Sequence, residues 1–574
     1  MFQSPPVADR PRMVVRSAAV LLVYVVAIAL FCRSALVSGF DLGFGERGDA
    51  IIEIAIIEHW RNVLAGVAAW DTSFYFHPYQ ATLGYNDGYL LYGLVYSGWR
   101  LIADPFHADT LNILTFKTIG FAAAYALVAR SLGWGQRTGL AVALLWTVAS
   151  NITLQAVHAQ LQSVALQPVA MMLAIATLRA EQAGRLTRAR FAAMGLALLL
   201  AAWLLTSYYM AWFTLFSACL YLACWAVVTR TWRPADWIAL LRRHAGTILA
   251  GVATFAVAIL PFLRLYLPKV RETGGEAVDD MLGYLVTPVI DMINVGPGNI
   301  VWGWLFLPLF ALVHRLLPDD PALPGRVLGG EHEAGFPLLF CALALLAAWR
   351  IVATRRIDGC RPAPATLRAF ALAMLVAWLL TIQLWKASPW LLVFHLVPGA
   401  KGLRTISRYQ LWLTLPLLLI AAAVWRQRAR RLFRRRPWLA TGLAALLVAE
   451  NLSAETPAQL SRAEQRAALM HISPPPPGCA SFYVVATRPT EPLYISRELH
   501  ARYPHNVDAM LLAELWRVPT INGFSTFNPP DWDFAEPRAA DYDARVRRYA
   551  QRHRLRGLCR LDVRARPPWS RVTP

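Results

Sequence analysis

The chain has 574 residues, of which 57% are hydrophobic and only 16% charged, and its mean hydropathy is +0.41. Apolar runs of about 20 residues recur, long enough to cross a bilayer as helices, which excludes a soluble globular protein and points to a polytopic α-helical membrane protein. The net charge of +21 does not point to nucleic acid, because most of the excess Arg lies in short loops between apolar runs, as the positive-inside rule describes.

The first apolar run, residues 18–31, follows Arg10, Arg12 and Arg16 and has no clean small-residue cleavage site, so it reads as a retained span. Beyond it comes Gly48-Asp49-Ala50, then a pattern predicting a helix over 49–65 with Ile52, Ile56, Val63 and Leu64 apolar. Such a helix is expected to lie along the membrane surface. A carboxylate at the mouth of a membrane bundle is costly, so Asp49 is a functional candidate. Two readings stand for it: a cap on backbone amides at the helix start, or a general base taking a proton from an acceptor hydroxyl. Glu53, one helical turn on, either shares that site or belongs to a solvated face.

The aromatic run Phe74-Tyr75-Phe76-His77-Pro78 follows, with His77 a candidate substrate contact. Asp87 lies in Tyr85-Asn86-Asp87-Gly88, either as a turn former or as an acid on the acceptor side. Residues 89–103 and 300–316 are apolar but short, and read as interfacial or re-entrant helices.

Spans are drawn at roughly 17–36, 110–130, 138–155, 161–179, 190–206, 208–229, 244–263, 335–353, 366–385, 408–425 and 438–453, about eleven in all. With that odd count the basic loops around Arg130, Arg185, Arg242, Arg355 and Arg430 all share the cytoplasmic side with the N-terminus. The outer side then holds loops 37–109, 264–334 and 386–407 and everything after about Ser453. Between the third and fourth spans, the loop 151–162 offers His158, Gln160 and Gln162 and no acid. His158 is either an interfacial packing residue or a group that binds phosphate or a sugar hydroxyl.

Loop 398–409 places Lys401, Arg404 and Arg408 on the outer side, against the charge trend. Arg404 and Arg408 share one face if the span begins here. Their planar forks suit the oxygens of a phosphate; the alternative is contact with lipid headgroups. Arg264, Lys269 and Arg271 repeat the pattern more weakly.

After residues 1–453, Pro474 to Pro477 stiffen a linker, 454–478. The remainder, 479–574, reads as a small α/β domain: strand 480–486, helices 507–516 and 540–552, strand 556–563. Cys479 and Cys559 border the two strands, either bridged or as buried thiols. Turn 520–527 is flanked by aromatics able to stack on sugars or simply to pack. The seven Cys form no CxxC and no Cys/His metal spacing.

A long outer loop after span one, opening on Asp49 and a helix and continuing through Phe76-His77-Pro78, a half-helix and Arg-bounded spans, resembles the GT-C membrane glycosyltransferases. The pattern covers about residues 13–190 and extends loosely to 453. The resemblance implies transfer of a sugar from a polyprenyl-phosphate carrier on the outer face of the membrane, with Asp49 matching the first-loop acid that acts as base or aligns the acceptor. Many members carry a second acid between spans three and four; here it is absent and Gly48-Asp49 stands alone, so no obligatory metal and no other cofactor is expected.

The expectation is therefore an enzyme of a bacterial inner membrane. Its donor would be a polyprenyl-phosphate-linked sugar, its acceptor a glycan, lipid or protein, and the transfer inverting, with Asp49 as base, Glu53, His77, Asp87, His158 and Gln160 as substrate contacts, and Arg404 and Arg408 on the donor phosphate. The rival class is a transporter or lipid- and glycan-handling protein. The absence of a repeat between residues 1–230 and 231–453, and charges gathered at span ends, favour the enzyme.

Overall fold

The computed structural model describes residues 10–274, 287–316, 330–357, 361–384, 387–490, 497–525 and 527–572. Parts of the expected loops 264–334 and 386–407, and position 526 of turn 520–527, lie outside them.

The molecule is mostly helical, and a helix lies at each expected span. Among the described residues, five helices are long and apolar enough to cross a membrane: Pro105–Ser131, Ala159–Gln182, Leu186–Leu204, Tyr208–Thr229 and Ile406–Arg435. Two pairs bent by 44° and 51°, Gln136–Thr147 with Ser150–Val157 and Ala245–Ala258 with Leu260–Thr273, raise the number to seven. Leu338–Val352, Ala365–Leu380 and Pro437–Ala449 are shorter apolar helices, so length and composition support five to seven crossings and stop short of eleven. Ile406–Arg435 is the central helix: 89% of its apolar window is buried, against 22% for the peripheral Leu186–Leu204.

Helix Asp49–Leu64 does not lie on a surface. Twelve of its residues are buried, from Ala50 to Asn62. Ile51, Ile54 and Ile57 widen the apolar face beyond Ile52 and Ile56, so most of the helix circumference has to be covered. Leu90–Trp99 packs on one side of it, where Gly93 is needed because a Cβ would stand 2.4 Å from the Trp60 ring. Glu58, fully buried, accepts bonds from Tyr96 Oη at 2.7 Å and Arg100 Nε at 2.8 Å.

The other side is covered by the C-terminal part. Its helix Arg497–Trp516 places Asp508 2.6 Å from Arg47, and the Asn62 side chain donates to Glu514 at 2.9 Å. The expected linker 454–478 is itself structured. Leu460–Ser461 pairs antiparallel with Leu42–Gly43, and helix Arg462–Leu469 follows, with the Ser461 hydroxyl accepting from the Glu464 amide. Beyond it, strands Ser481–Ala486 and Leu558–Asp562 pair in parallel and a third, Trp569–Arg571, adds antiparallel. Helix Tyr542–Arg552 completes the strand–helix alternation. Turn 520–525 is packing: Phe76 and His77 donate their amides to Asn522 O and Thr520 O, so the aromatic run of the first loop extends along the C-terminal part.

Cys479 and Cys559 are joined by a disulfide at the start of the parallel strand pair, closing 80 residues of chain. Replacing either by serine is expected to cost about 2–5 kcal/mol. Thermal melting of the detergent-solubilised protein, with and without reductant, checks this; an unchanged transition would mean the strand pair holds without the bridge.

Candidate active site

Asp49 is the first residue of its helix but does not cap it. Glu46 does: its two carboxylate oxygens accept from the Gly48 and Asp49 amides at 2.9 and 3.0 Å. The Asp49 side chain is therefore left for another partner. It meets His158, with Oδ2 3.1 Å from Nδ1.

His158 sits in extended backbone between the tight turns Gln155–Val157 and Ala159–Leu166. Glu53 props this break from below. Its Oε1 accepts the Ala159 amide at 2.9 Å and the Tyr89 hydroxyl at 3.0 Å. Glu53 is thus buried rather than on a solvated face, and supports the turn that carries His158.

The other imidazole nitrogen, Nε2, lies 3.3 Å from Glu331 Oε1. Glu331 stands in the turn Gly330–His332, held from both flanks: the Gly330 carbonyl accepts from Gln155 Nε2 at 2.8 Å, and His332 pairs with Asp291 at 2.7 Å. Glu331 in turn receives Arg408, whose Nε is 3.2 and 3.1 Å from its two oxygens and whose Nη2 also bonds Oε1. Arg408 stacks over the Tyr209 ring at 5.1 Å. The result is a chain of alternating charge, Asp49–His158–Glu331–Arg408. Its side chains are 36%, 18%, 22% and 8% exposed, so Asp49 is the open end and Arg408 the closed one.

Arg404 and Arg408 do not share a helical face. The helix proper starts at Tyr409, after the turn Ile406–Arg408, because the Tyr209 hydroxyl takes the amides of Arg404 and Thr405 at 2.7 and 3.1 Å and holds that stretch off the helix. Arg404 is exposed, Arg408 buried. Asp87 plays a structural part, accepting the Tyr208 amide at 3.0 Å and so capping helix Tyr208–Thr229. The bonds of His77 run to the C-terminal part, where its amide reaches Thr520 and its carbonyl accepts from Tyr549. Gln160 lies two residues past His158, with a buried Oε1 that has no hydrogen-bond partner among the described residues.

Sequence reasoning missed Glu46, Tyr209 and Glu331. The signal for Glu331 was present as Glu331-His332-Glu333, an ionisable run directly before an apolar span. Among the described residues no group of three or more His, Cys, Asp or Glu is placed to hold a metal ion; both oxygens of Glu331 are already taken by Arg408 and His158.

The charges reinforce one another. Burial works to raise the Asp49 carboxyl, but the bond to His158 and the charges of His158 and Arg408 outweigh it and hold it below the ordinary range. Burial likewise opposes ionisation of Glu331, and Arg408 and His158 again prevail, keeping it well below the ordinary value. For His158, burial and the Arg408 charge pull downward while Asp49 and Glu331 pull up, and the imidazole ends at about 9. Glu53 moves the other way, raised by burial and then by the Asp109 and Asp49 charges, well above the usual carboxylate range.

No family model matches the chain, and no curated protein does. Among solved structures it is similar to the archaeal oligosaccharyltransferase AglB of Archaeoglobus fulgidus, determined in complex with an inhibitory peptide and a dolichol-phosphate. The identity is 13% and the TM-score 0.46, over 94% of this chain and 69% of that one.

A raised imidazole stabilises the fold in full below its ordinary value near 6.5 and loses that contribution as pH rises through about 9. The wild type should therefore lose thermal stability across that window relative to its His158→Gln variant. Parallel pH curves for the two proteins would mean that His158 is neutral throughout.

Proposed function

We propose that this protein is an integral-membrane glycosyltransferase of the GT-C type, moving a sugar from a polyprenyl-phosphate donor to an acceptor hydroxyl on the outer, periplasmic face of a bacterial inner membrane. One observation carries the reading. A part-exposed carboxylate and a buried guanidinium, far apart in sequence, are brought onto one chain of contacts through His158 and Glu331.

The two ends suit the two halves of a transfer. An ionised Asp49, free of capping duty, accepts a hydrogen bond from the acceptor hydroxyl and takes its proton as the new bond to the anomeric carbon forms. The bond from that carbon to the phosphate oxygen breaks, and the phosphate keeps the electron pair. Arg408, joined by the exposed Arg404, stabilises the charge that builds there. Base and leaving-group anchor at opposite ends of the chain support displacement with inversion. Glu53 and Asp87 act by holding the His158 turn and the Tyr208 helix. The amide oxygen of Gln160, without a partner among the described residues, serves as a contact for a sugar hydroxyl in this reading. The cluster calls for no metal, since Arg408 and His158 already supply positive charge.

The disulfide supports placing the C-terminal part outside the cytoplasm, because such bridges persist in oxidising compartments. The same part covers the helix that carries Asp49, so both share one side of the membrane in this reading.

Asp49→Asn is expected to lower transfer by about 10²–10⁴ while leaving the melting temperature near that of the wild type, since the amide keeps the shape and loses the base. Steady-state transfer from a synthetic polyprenyl-phosphate sugar measures it; an active variant would leave Asp49 with a purely electrostatic part.

A phosphatase fused after Pro574 is expected to be active in cells and a cytoplasm-only reporter silent. The reverse pair of signals would place the C-terminal part, and Asp49 with it, on the cytoplasmic side.

A further inference from the structure

Two cations of this protein converge on a single carboxylate. Arg408 reaches both oxygens of Glu331 through Nε at 3.2 and 3.1 Å and one of them again through Nη2; His158 Nε2 approaches the same oxygen at 3.3 Å. A guanidinium fork and an imidazolium facing a common point form a cradle for an oxyanion, and a phosphate offers the same cradle oxygens of similar spacing and charge. Glu331 comes from neither of the segments that carry the cations. It is also more exposed than the arginine behind it, 22% against 8%. An anion approaching Arg408 from the open, Asp49 end of the chain meets Glu331 first, and two anions on the same donors repel each other.

We propose that Glu331 is an internal stand-in for the donor's phosphate: it fills the cradle of Arg408 and His158 in the unloaded protein and gives way to a singly charged phosphodiester when donor binds. This rests on the reading of Arg408 as the phosphate anchor. The charge count specifies the ligand. With Glu331 in the cradle, the four groups Asp49, His158, Glu331 and Arg408 sum to zero. With Glu331 out, the remaining three sum to one positive charge. That matches a lipid–phosphate–sugar diester and leaves a lipid diphosphate undercompensated. Glu331 therefore keeps a buried guanidinium paired between turnovers and selects for the charge of the donor.

The test uses the full chain in neutral detergent, with binding read from tryptophan fluorescence. The probes are a polyprenyl methyl phosphodiester, a polyprenyl diphosphate and phosphatidylglycerol. Glu331→Gln should bind the polyprenyl diester about tenfold more tightly than the wild type, with the diester preferred over the diphosphate, and adding Arg408→Lys should abolish the gain. Equal or weaker diester binding by Glu331→Gln overturns the stand-in while leaving the phosphate anchor intact. A gain that survives Arg408→Lys overturns the anchor itself. A gain confined to, or as large for, phosphatidylglycerol assigns the cradle to a membrane headgroup and overturns the donor assignment. Glu331→Ala with added acetate gives an independent check on folding: acetate should weaken diester binding in that variant and leave the wild type unchanged, and indifference of the variant to acetate counts against the proposal.

Discussion

An ionised carboxylate is stable at the mouth of a helix bundle only when opposite charge is brought to it, and the contact between Asp49 and His158 is that compensation. The surroundings serve this one pair. Glu46 satisfies the helix start so that Asp49 does not have to. Glu53, whose carboxyl burial pushes well above its usual range, holds the amide of the residue after His158. Glu331 balances the imidazolium, and Arg408 balances Glu331. Each added charge lowers the cost of the one before it, until the last is seated over the face of Tyr209.

The C-terminal part is built into this arrangement. Strand Leu460–Ser461 pairs with the first loop, the Arg47–Asp508 ion pair fixes helix Arg497–Trp516 over the Asp49 helix, and the amides of Phe76 and His77 continue the bonding along Asn522 and Thr520. A segment that would otherwise lie open to solvent becomes the middle layer of a three-layer stack. Its polar side chains then need buried partners, which explains why Glu58 and Asn62 are satisfied by Arg100, Tyr96 and Glu514.

What was legible in the sequence follows from what each segment obeys. The helices could be placed because apolar runs of about twenty residues admit few other structures in a bilayer. Their number of crossings could not be fixed that way, since helices of 13–16 residues such as Pro437–Ala449 and Ala365–Leu380 fall between a span and a half-span. Asp49, His158 and Arg408 stood out as charges at span ends. Glu331 did not, because a three-residue turn has no periodicity to read. Four apolar positions suggest a surface place for the Asp49 helix, although Ile51, Ile54 and Ile57 widen its apolar face beyond what one surface can cover. Its cover, supplied by residues such as Glu514, 452 positions beyond Asn62, left no local trace. Arg404 and Arg408 looked like a helical pair only because the hydroxyl of Tyr209, which delays the helix, lies on another element.

That cover has a consequence for how the protein is made. Ribosomes deliver the isoleucine-rich helix early, whereas the carboxylates that clamp it, Asp508 and Glu514, emerge 461 and 452 residues after their partners Arg47 and Asn62. For most of synthesis the helix has apolar flanks and no lid. That face stays without its own partner until then, and the four-charge chain stays incomplete until Arg408 is inserted. Nascent chains released before helix Arg497–Trp516 is made would thus expose a sticky, unclasped helix. Quality control could recognise such fragments by that exposed surface alone.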